Sequence, residues 1–282
     1  MIPVATTVST RRFPGRAPSL LPVTGQHVAA PVRDRIIIAV CMLALTALAW
    51  RYLVGVEREM SAMVEHDRMM AEMGMTMDMA WGPREVLFTF IMWAVMMVGM
   101  MAPSAAPTFI LFAALQQARG AGHRFYWIPF GAGYFVVWTV FSGAAALLQW
   151  RLHEAAVLSA AMVTASAQLG GAILIGAGLY QFAPLKSACL THCRSPLGFI
   201  MSHWRDGVAG ALRMGLRHGG YCVGCCWALM AVLFAVGVMN LLWVAALSIV
   251  VLAEKLIPRG EWVARAGGAA MIGAGMLRVF AG

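Results

Sequence analysis

Charge is what this chain has least of. Only 12% of its 282 residues are Asp, Glu, Lys or Arg, and the acidic ones number 12 against 21 basic. A soluble domain carries about a quarter of its residues as charges, so that class is excluded. Polar surface is equally scarce, with 61% of residues hydrophobic and a mean hydropathy of +0.76. The chain has no Gly-Lys dipeptide and so no phosphate-binding loop of the Gly-Lys-Ser/Thr type, which argues against pumping by ATP hydrolysis within this chain. Cysteine is also rare. Of six, five fall within the 38 residues from Cys189 to Cys226.

What is present is a series of apolar runs. About 20 helical residues cross a hydrocarbon core of roughly 30 Å, and seven such segments can be laid out, near 36–54, 85–115, 125–148, 167–183, 220–238, 241–256 and 263–280. The expected fold is therefore all-α, a polytopic helical membrane protein with about seven transmembrane helices. Six or eight crossings fit the same pattern. Arg11, Arg12, Arg16, Arg33 and Arg35 precede the first helix; Arg119 and Arg124 follow the second. Lys186, Arg194, Arg205, Arg213 and Arg217 follow the fourth, and Lys255, Arg259 and Arg265 the sixth. This puts 15 of the 21 basic residues on one side, which the positive-inside rule assigns to the cytoplasm together with the N-terminus. The net charge of +9 then reflects topology and attraction to anionic lipid, not nucleic acid binding.

The first 35 residues, rich in Pro, Arg, Ser and Thr, read as a disordered basic cytoplasmic tail. Ser9-Thr-Arg-Arg-Phe13 resembles a twin-arginine signal, but Pro14 and a further 21 residues part it from the apolar run, and no small-residue cleavage site follows. Residues 36–54 are expected to be a retained anchor. Residues 55–84 form a Met-rich extracytoplasmic segment, and 85–282 a six-helix metal-binding membrane domain.

The Met-rich segment holds Met60, Met63, Met69, Met70, Met73, Met75, Met77 and Met79 with His66, among six acidic residues. Thioethers in a solvated, acidic stretch are unlike core filling. They favour Cu(I) and need no deprotonation, so His66, Met70, Met73 and Met77, which share a helical face, are candidate metal ligands. An amphipathic surface helix is the alternative. In the second crossing Met96 and Met100 repeat four residues apart, with Met97 and Met101 in the adjacent row. These also read as candidate ligands, with packing as the alternative. Pro103 and Pro107 follow at once and are expected to kink the helix at membrane depth, with Ser104 to satisfy a freed carbonyl.

Two cysteine clusters carry the clearest chemistry: Cys189-Leu-Thr-His-Cys193, and Cys222-Val-Gly-Cys225-Cys226. Cys189 and Cys193 lie one helical turn apart, and Cys222 shares a face with Cys225 and Cys226. On the reducing side a structural disulfide is disfavoured, and a thiolate site for Cu(I) or zinc is expected. His192, His203 or His218 can replace a sulfur. The clusters are expected near the cytoplasmic face, at helix ends. Lys186 reads as a marker of such an end, with activation of a thiol as the alternative. Glu254 and Lys255 are expected to neutralise one another, and Gln181 and Asn240 to bridge helices. His153 reads as a satisfied interfacial residue.

Gly170-Gly-Ala-Ile-Leu-Ile-Gly-Ala-Gly178 and Gly267-Gly-Ala-Ala-Met-Ile-Gly-Ala-Gly275 are identical at seven of nine positions. They read either as close helix packing or as a three-plus-three repeat after the N-terminal helix, with inverted copies.

Several of these motifs, in order, resemble the bacterial membrane proteins of the domain of unknown function 2182 family, described as predicted metal-binding. The resemblance rests on Trp93, Met96, Met97, Met100, Met101 and Pro103; on Tyr180-Gln-Phe-Ala-Pro-Leu-Lys186, Cys189, Leu190, Cys193, Arg194 and Pro196; on Cys222, Gly224, Cys225, Cys226 and Trp227; and on Met239-Asn-Leu241 and Glu254-Lys255. It covers about residues 85 to 280. It implies a multi-pass protein of the bacterial inner membrane with a metal-related role and no demonstrated activity. The function expected is binding of a soft metal, Cu(I) foremost and zinc second, for transport or delivery. The partners expected are the metal ion, the lipid bilayer, and a metallochaperone or membrane complex. The alternatives are a transmembrane thiol-disulfide electron carrier and an assembly factor for a metalloprotein complex.

Overall fold

Long apolar runs with few internal polar partners can satisfy their backbone in lipid only as helices, and among the described residues every regular element is an α-helix. The computed structural model describes residues 32–73, 82–119, 125–155 and 166–281. Outside them lie residues 1–31, the segment 74–81 with Met75, Met77 and Met79, residues 120–124 with Arg124, residues 156–165 and residue 282. The elements are α1 (Val32–Glu72), α2 (Pro83–Ala118), α3 (Trp127–Glu154), α4 (Ala167–Tyr180), α5 (Pro184–Arg194), α6 (Pro196–Ser202), α7 (Gly207–Val236), α8 (Leu241–Leu256) and α9 (Gly260–Ala281).

Among the described residues, five helices are long and apolar enough to cross a membrane: α2, α3, α7, and the spans Val32–His66 of α1 and Gly260–Phe280 of α9. The seven segments expected from hydropathy thus resolve differently. The fourth is short and continues, through a 63° bend, into α5, so that α4 and α5 together make at most one broken span. Pro184 opens α5 and disfavours a helical residue before it, which places the bend. The sixth, α8, has 16 residues and reaches about 24 Å, short of the core thickness.

Two boundaries move further. The first helix does not stop near residue 54 but runs on to Glu72, carrying half of the Met-rich segment as helix. The fifth apolar run begins not at 220 but at Gly207, which has φ 78°. Arg213 and Arg217, four residues apart, face outward, while Met214, His218 and Cys222 are buried, so this half of α7 is amphipathic and hydropathy alone missed it. The second helix runs unbroken through Pro103 and Pro107, and Ser104 donates to the carbonyl of Met101 at 3.0 Å.

Glycines set the closest packing. On α3 and α7, which run parallel, a Cβ at Gly133 would strike Leu212 O and one at Gly215 would strike Phe130 O. The two similar glycine stretches meet one another. Gly171 abuts Gly275 O and Gly178 abuts Gly268 O, each at 2.7 Å from a Cβ position, so α4 and α9 pack in antiparallel fashion backbone to backbone. This is the close approach in lipid that small residues permit. α1 and α2 form an antiparallel pair, joined at one end by Gln117 and Asp34. That end also holds Arg119, stacked 4.0 Å over Trp204, close to the start of α7 with Arg213 and Arg217.

Candidate metal centre

Because α7 starts at Gly207, Cys222 lies about 22 Å along it. The second cluster is therefore buried mid-helix and not at an edge as expected. Cys222, Cys225 and Cys226 are each about 1% exposed. The thiols of Cys225 and Cys226 donate to the carbonyl of Cys222, at 3.1 and 2.9 Å. The bend between α4 and α5 turns the first cluster onto them. Cys189 rests on Gly224, where an added Cβ would stand 2.8 Å from its Sγ. Tyr180, at the end of α4, fixes this junction by donating to Gly224 O at 2.5 Å.

Cys193 on α5 and Cys225 on α7 stand with their sulfurs 4.0 Å apart. Sulfurs sharing one metal through bonds of about 2.3 Å are separated by roughly 3.8 Å at a tetrahedral angle and 4.6 Å when opposed, so this pair can hold an ion without moving. The Cys193 thiol also interacts with Cys222, and Cys226 with both Cys222 and Cys225. Cys222 interacts in turn with Cys193, Cys225 and Cys226, so the four thiols form one connected group. Among the described residues no three Cys, His, Asp or Glu side chains form a metal shell.

Around Cys222 the surroundings are polar and singly charged. Its sulfur lies 3.1 Å from the Tyr134 hydroxyl and 3.0 Å from Lys255 Nζ. The same ammonium donates to Ser104 Oγ at 3.1 Å and approaches Met101 Sδ at 3.9 Å. Lys255 therefore does not neutralise its neighbour Glu254. That carboxylate instead pairs with Lys186 at 2.7 Å, both side chains about 2% exposed, and accepts from Gln181 Nε2 at 3.3 Å. A buried pair satisfies two charges at once, where an adjacent pair on one helix turn would point them apart. Lys186 is thus an internal counter-ion and not a topology marker. Asn240 caps α8, accepting from Leu242 N and Trp243 N, and does not bridge helices.

The remaining candidates distribute unevenly. Met96, Met97 and Met100 are buried in the bundle core, as is Met101, which approaches the Lys255 ammonium that lies against Cys222. His192 stacks on Tyr221 at 4.1 Å between centroids, and its Nδ1 lies 2.9 Å from the carbonyl of Ala188. His66, Met70 and Met73 sit at the far end of α1, with Met73 62% exposed, and α1 packs chiefly on α2; Met77 lies outside the described residues. Tyr134 carried no signal in the sequence, being one aromatic among many. Ser104 was visible only as a repair for Pro103.

A comparison by family matches residues 90–278 to the family described as PpoB2, copper chaperone. The copper description agrees with the metal-related role that the resemblance implies, though the match does not carry the name domain of unknown function 2182. No curated protein and no solved structure matches the chain.

Proposed function

Since the chain belongs to this copper chaperone family, we propose that it binds Cu(I) within the membrane between α5 and α7 and passes it on to a metalloprotein or membrane complex. The observation that carries this reading is the Cys193–Cys225 pair, 4.0 Å apart. A pair of thiolates suits a soft monovalent ion, whereas structural zinc takes four ligands in a tetrahedron. Cys222 and Cys226, which interact with members of that pair, can join as further ligands, and Cys189 lies beside them on Gly224. Charge supports the same choice. Two thiolates and Cu(I) sum to −1, and the Lys255 ammonium beside Cys222 brings the buried group to zero; with Zn(II) an uncompensated positive charge would remain, which burial penalises.

His66, Met70, Met73 and Met77 are proposed as outer ligands for Cu(I), separate from the inner thiols. The membrane is taken to be the bacterial inner membrane, with the end bearing Arg119, Arg213 and Arg217 in the cytoplasm.

Copper content of the purified protein under reducing conditions tests the reading. The wild type should retain about one Cu(I) per chain, and Cys193→Ser combined with Cys225→Ser should lose it, since removing thiolates removes the soft donors. Retention of copper by that double variant would overturn it. A second reading, thiol-disulfide exchange, is favoured by the same 4.0 Å approach, which would pair Cys193 with Cys225. It predicts a reversible dithiol titration and a mixed disulfide trapped in Cys225→Ser.

A further inference from the structure

Between the basic end of the bundle and the thiols lies a line of soft donors outside the copper pair. Met214, His218 and Cys222 follow at four-residue steps on α7, so they share one face and advance about 6 Å per step. All three are buried, at 1%, 3% and 1% exposure. At one end Met214 lines a cavity of about 280 Å³ together with His203, Arg205, Arg213 and Arg217. At the other end Cys222 interacts with Cys193 and Cys225.

His218 stands between them in an aromatic box, its ring centroid 6.0 Å from Phe130, 5.6 Å from Tyr134 and 5.1 Å from Phe199. Its Nδ1 is buried and has no hydrogen-bond partner. Packing in such a box asks only for a ring, and phenylalanine would supply one without leaving a nitrogen desolvated. A buried polar atom without a partner is the kind of group that an ion or ligand explains.

We propose that this face of α7 is a loading path, with His218 a transient Cu(I) ligand between Met214 at the cavity and Cys222 at the thiol group. The inference rests on the reading of Cys193 and Cys225 as a copper site. Three guanidiniums at the mouth repel a free cation and attract an anion, so the cavity suits copper carried in a negatively charged complex. Met214 Sδ, which accepts from the Arg205 backbone N–H at 3.4 Å, takes the first hold. The transfer is ligand exchange. Copper stays Cu(I), each new bond to sulfur or nitrogen replaces one to the carrier, the freed carrier ligand leaves through the cavity, and the proton of each binding thiol passes to that ligand or to water.

The test mixes the full chain, purified in detergent under reducing conditions, with the anionic Cu(I)–bicinchoninate complex and follows the loss of its visible absorbance. His218→Phe keeps the ring and removes the donor; His218→Met restores a soft donor. The Phe variant should load at least about tenfold more slowly, the scale of one lost ligand contact on a rate, with unchanged final copper content, while the Met variant loads near the wild-type rate. Should the Phe chain fail to fold, His218→Leu repeats the comparison. Loading of the donor-free variant at the wild-type rate would overturn the path, as would a Met variant that is equally slow. A wild type that takes up no copper would instead overturn the reading of the copper site itself.

Discussion

At the scale of single residues, two lysines decide the electrostatics of the centre. Lys255 stands 3.0 Å from Cys222, beside the proposed Cu(I)–dithiolate of Cys193 and Cys225, so Lys255→Met should weaken Cu(I) binding about tenfold or more, or roughly 1.4 kcal/mol, and narrow the preference for Cu(I) over Zn(II). Competition with a chromophoric Cu(I) chelator and with a Zn(II) indicator measures both. Lys186 is 1% exposed and joined to Glu254. Removing one partner of a buried pair costs about 3–5 kcal/mol, whereas replacing both by apolar residues is often neutral. Lys186→Met should therefore destabilise the protein strongly, and the double change with Glu254→Leu should recover most of the loss, as thermal unfolding in detergent would show. The cysteines themselves were legible because thiols so clustered in an apolar chain stand out by type and spacing. The partners of Lys186 and Lys255 were not, because each lies on another helix, 68 and 33 residues distant, and spacing along one helix says nothing of contacts across it.

At the scale of elements, the hydropathy pattern found the apolar cores of the helices but misjudged ends where a helix is amphipathic. The first half of α7 has arginines outward and Met214 and His218 inward, so its average conceals its helix, and the cysteines moved from an expected edge to the middle. The bend between α4 and α5 was foreshadowed by Pro184, yet its consequence, Cys193 laid against Cys225, required the three-dimensional path. Glycine positions sort by what they face. Gly178 abuts the Gly268 carbonyl, while a Cβ at Gly176 on the same helix meets nothing within 4 Å. Gly178→Ala should thus lower thermal stability by parting α4 from α9, whereas Gly176→Ala should be neutral or stabilising by up to about 1 kcal/mol through helix propensity.

At the scale of the whole molecule, α3 and α7 run parallel and bring Arg119, Arg205, Arg213 and Arg217 to one end, which places Ala155 at the other. Truncated fusions test this arrangement: alkaline phosphatase joined after Ala155 should be active and that joined after Arg119 inactive, and the reverse pattern would invert the orientation. The similar glycine stretches, read from the sequence either as packing or as a repeat, prove to pack on one another. The proposed copper pair lies between α5 and α7, in the same group as the buried Lys255 and apart from the methionines at the end of α1. X-ray absorption at the copper edge of the Cu(I)-loaded protein probes that centre most directly. A shell of about two or three sulfurs at a metal–thiolate distance of roughly 2.3 Å, lost in the Cys193→Ser, Cys225→Ser variant, is the predicted result; a shell of nitrogen and oxygen alone, or a sulfur shell unchanged in that variant, would contradict it.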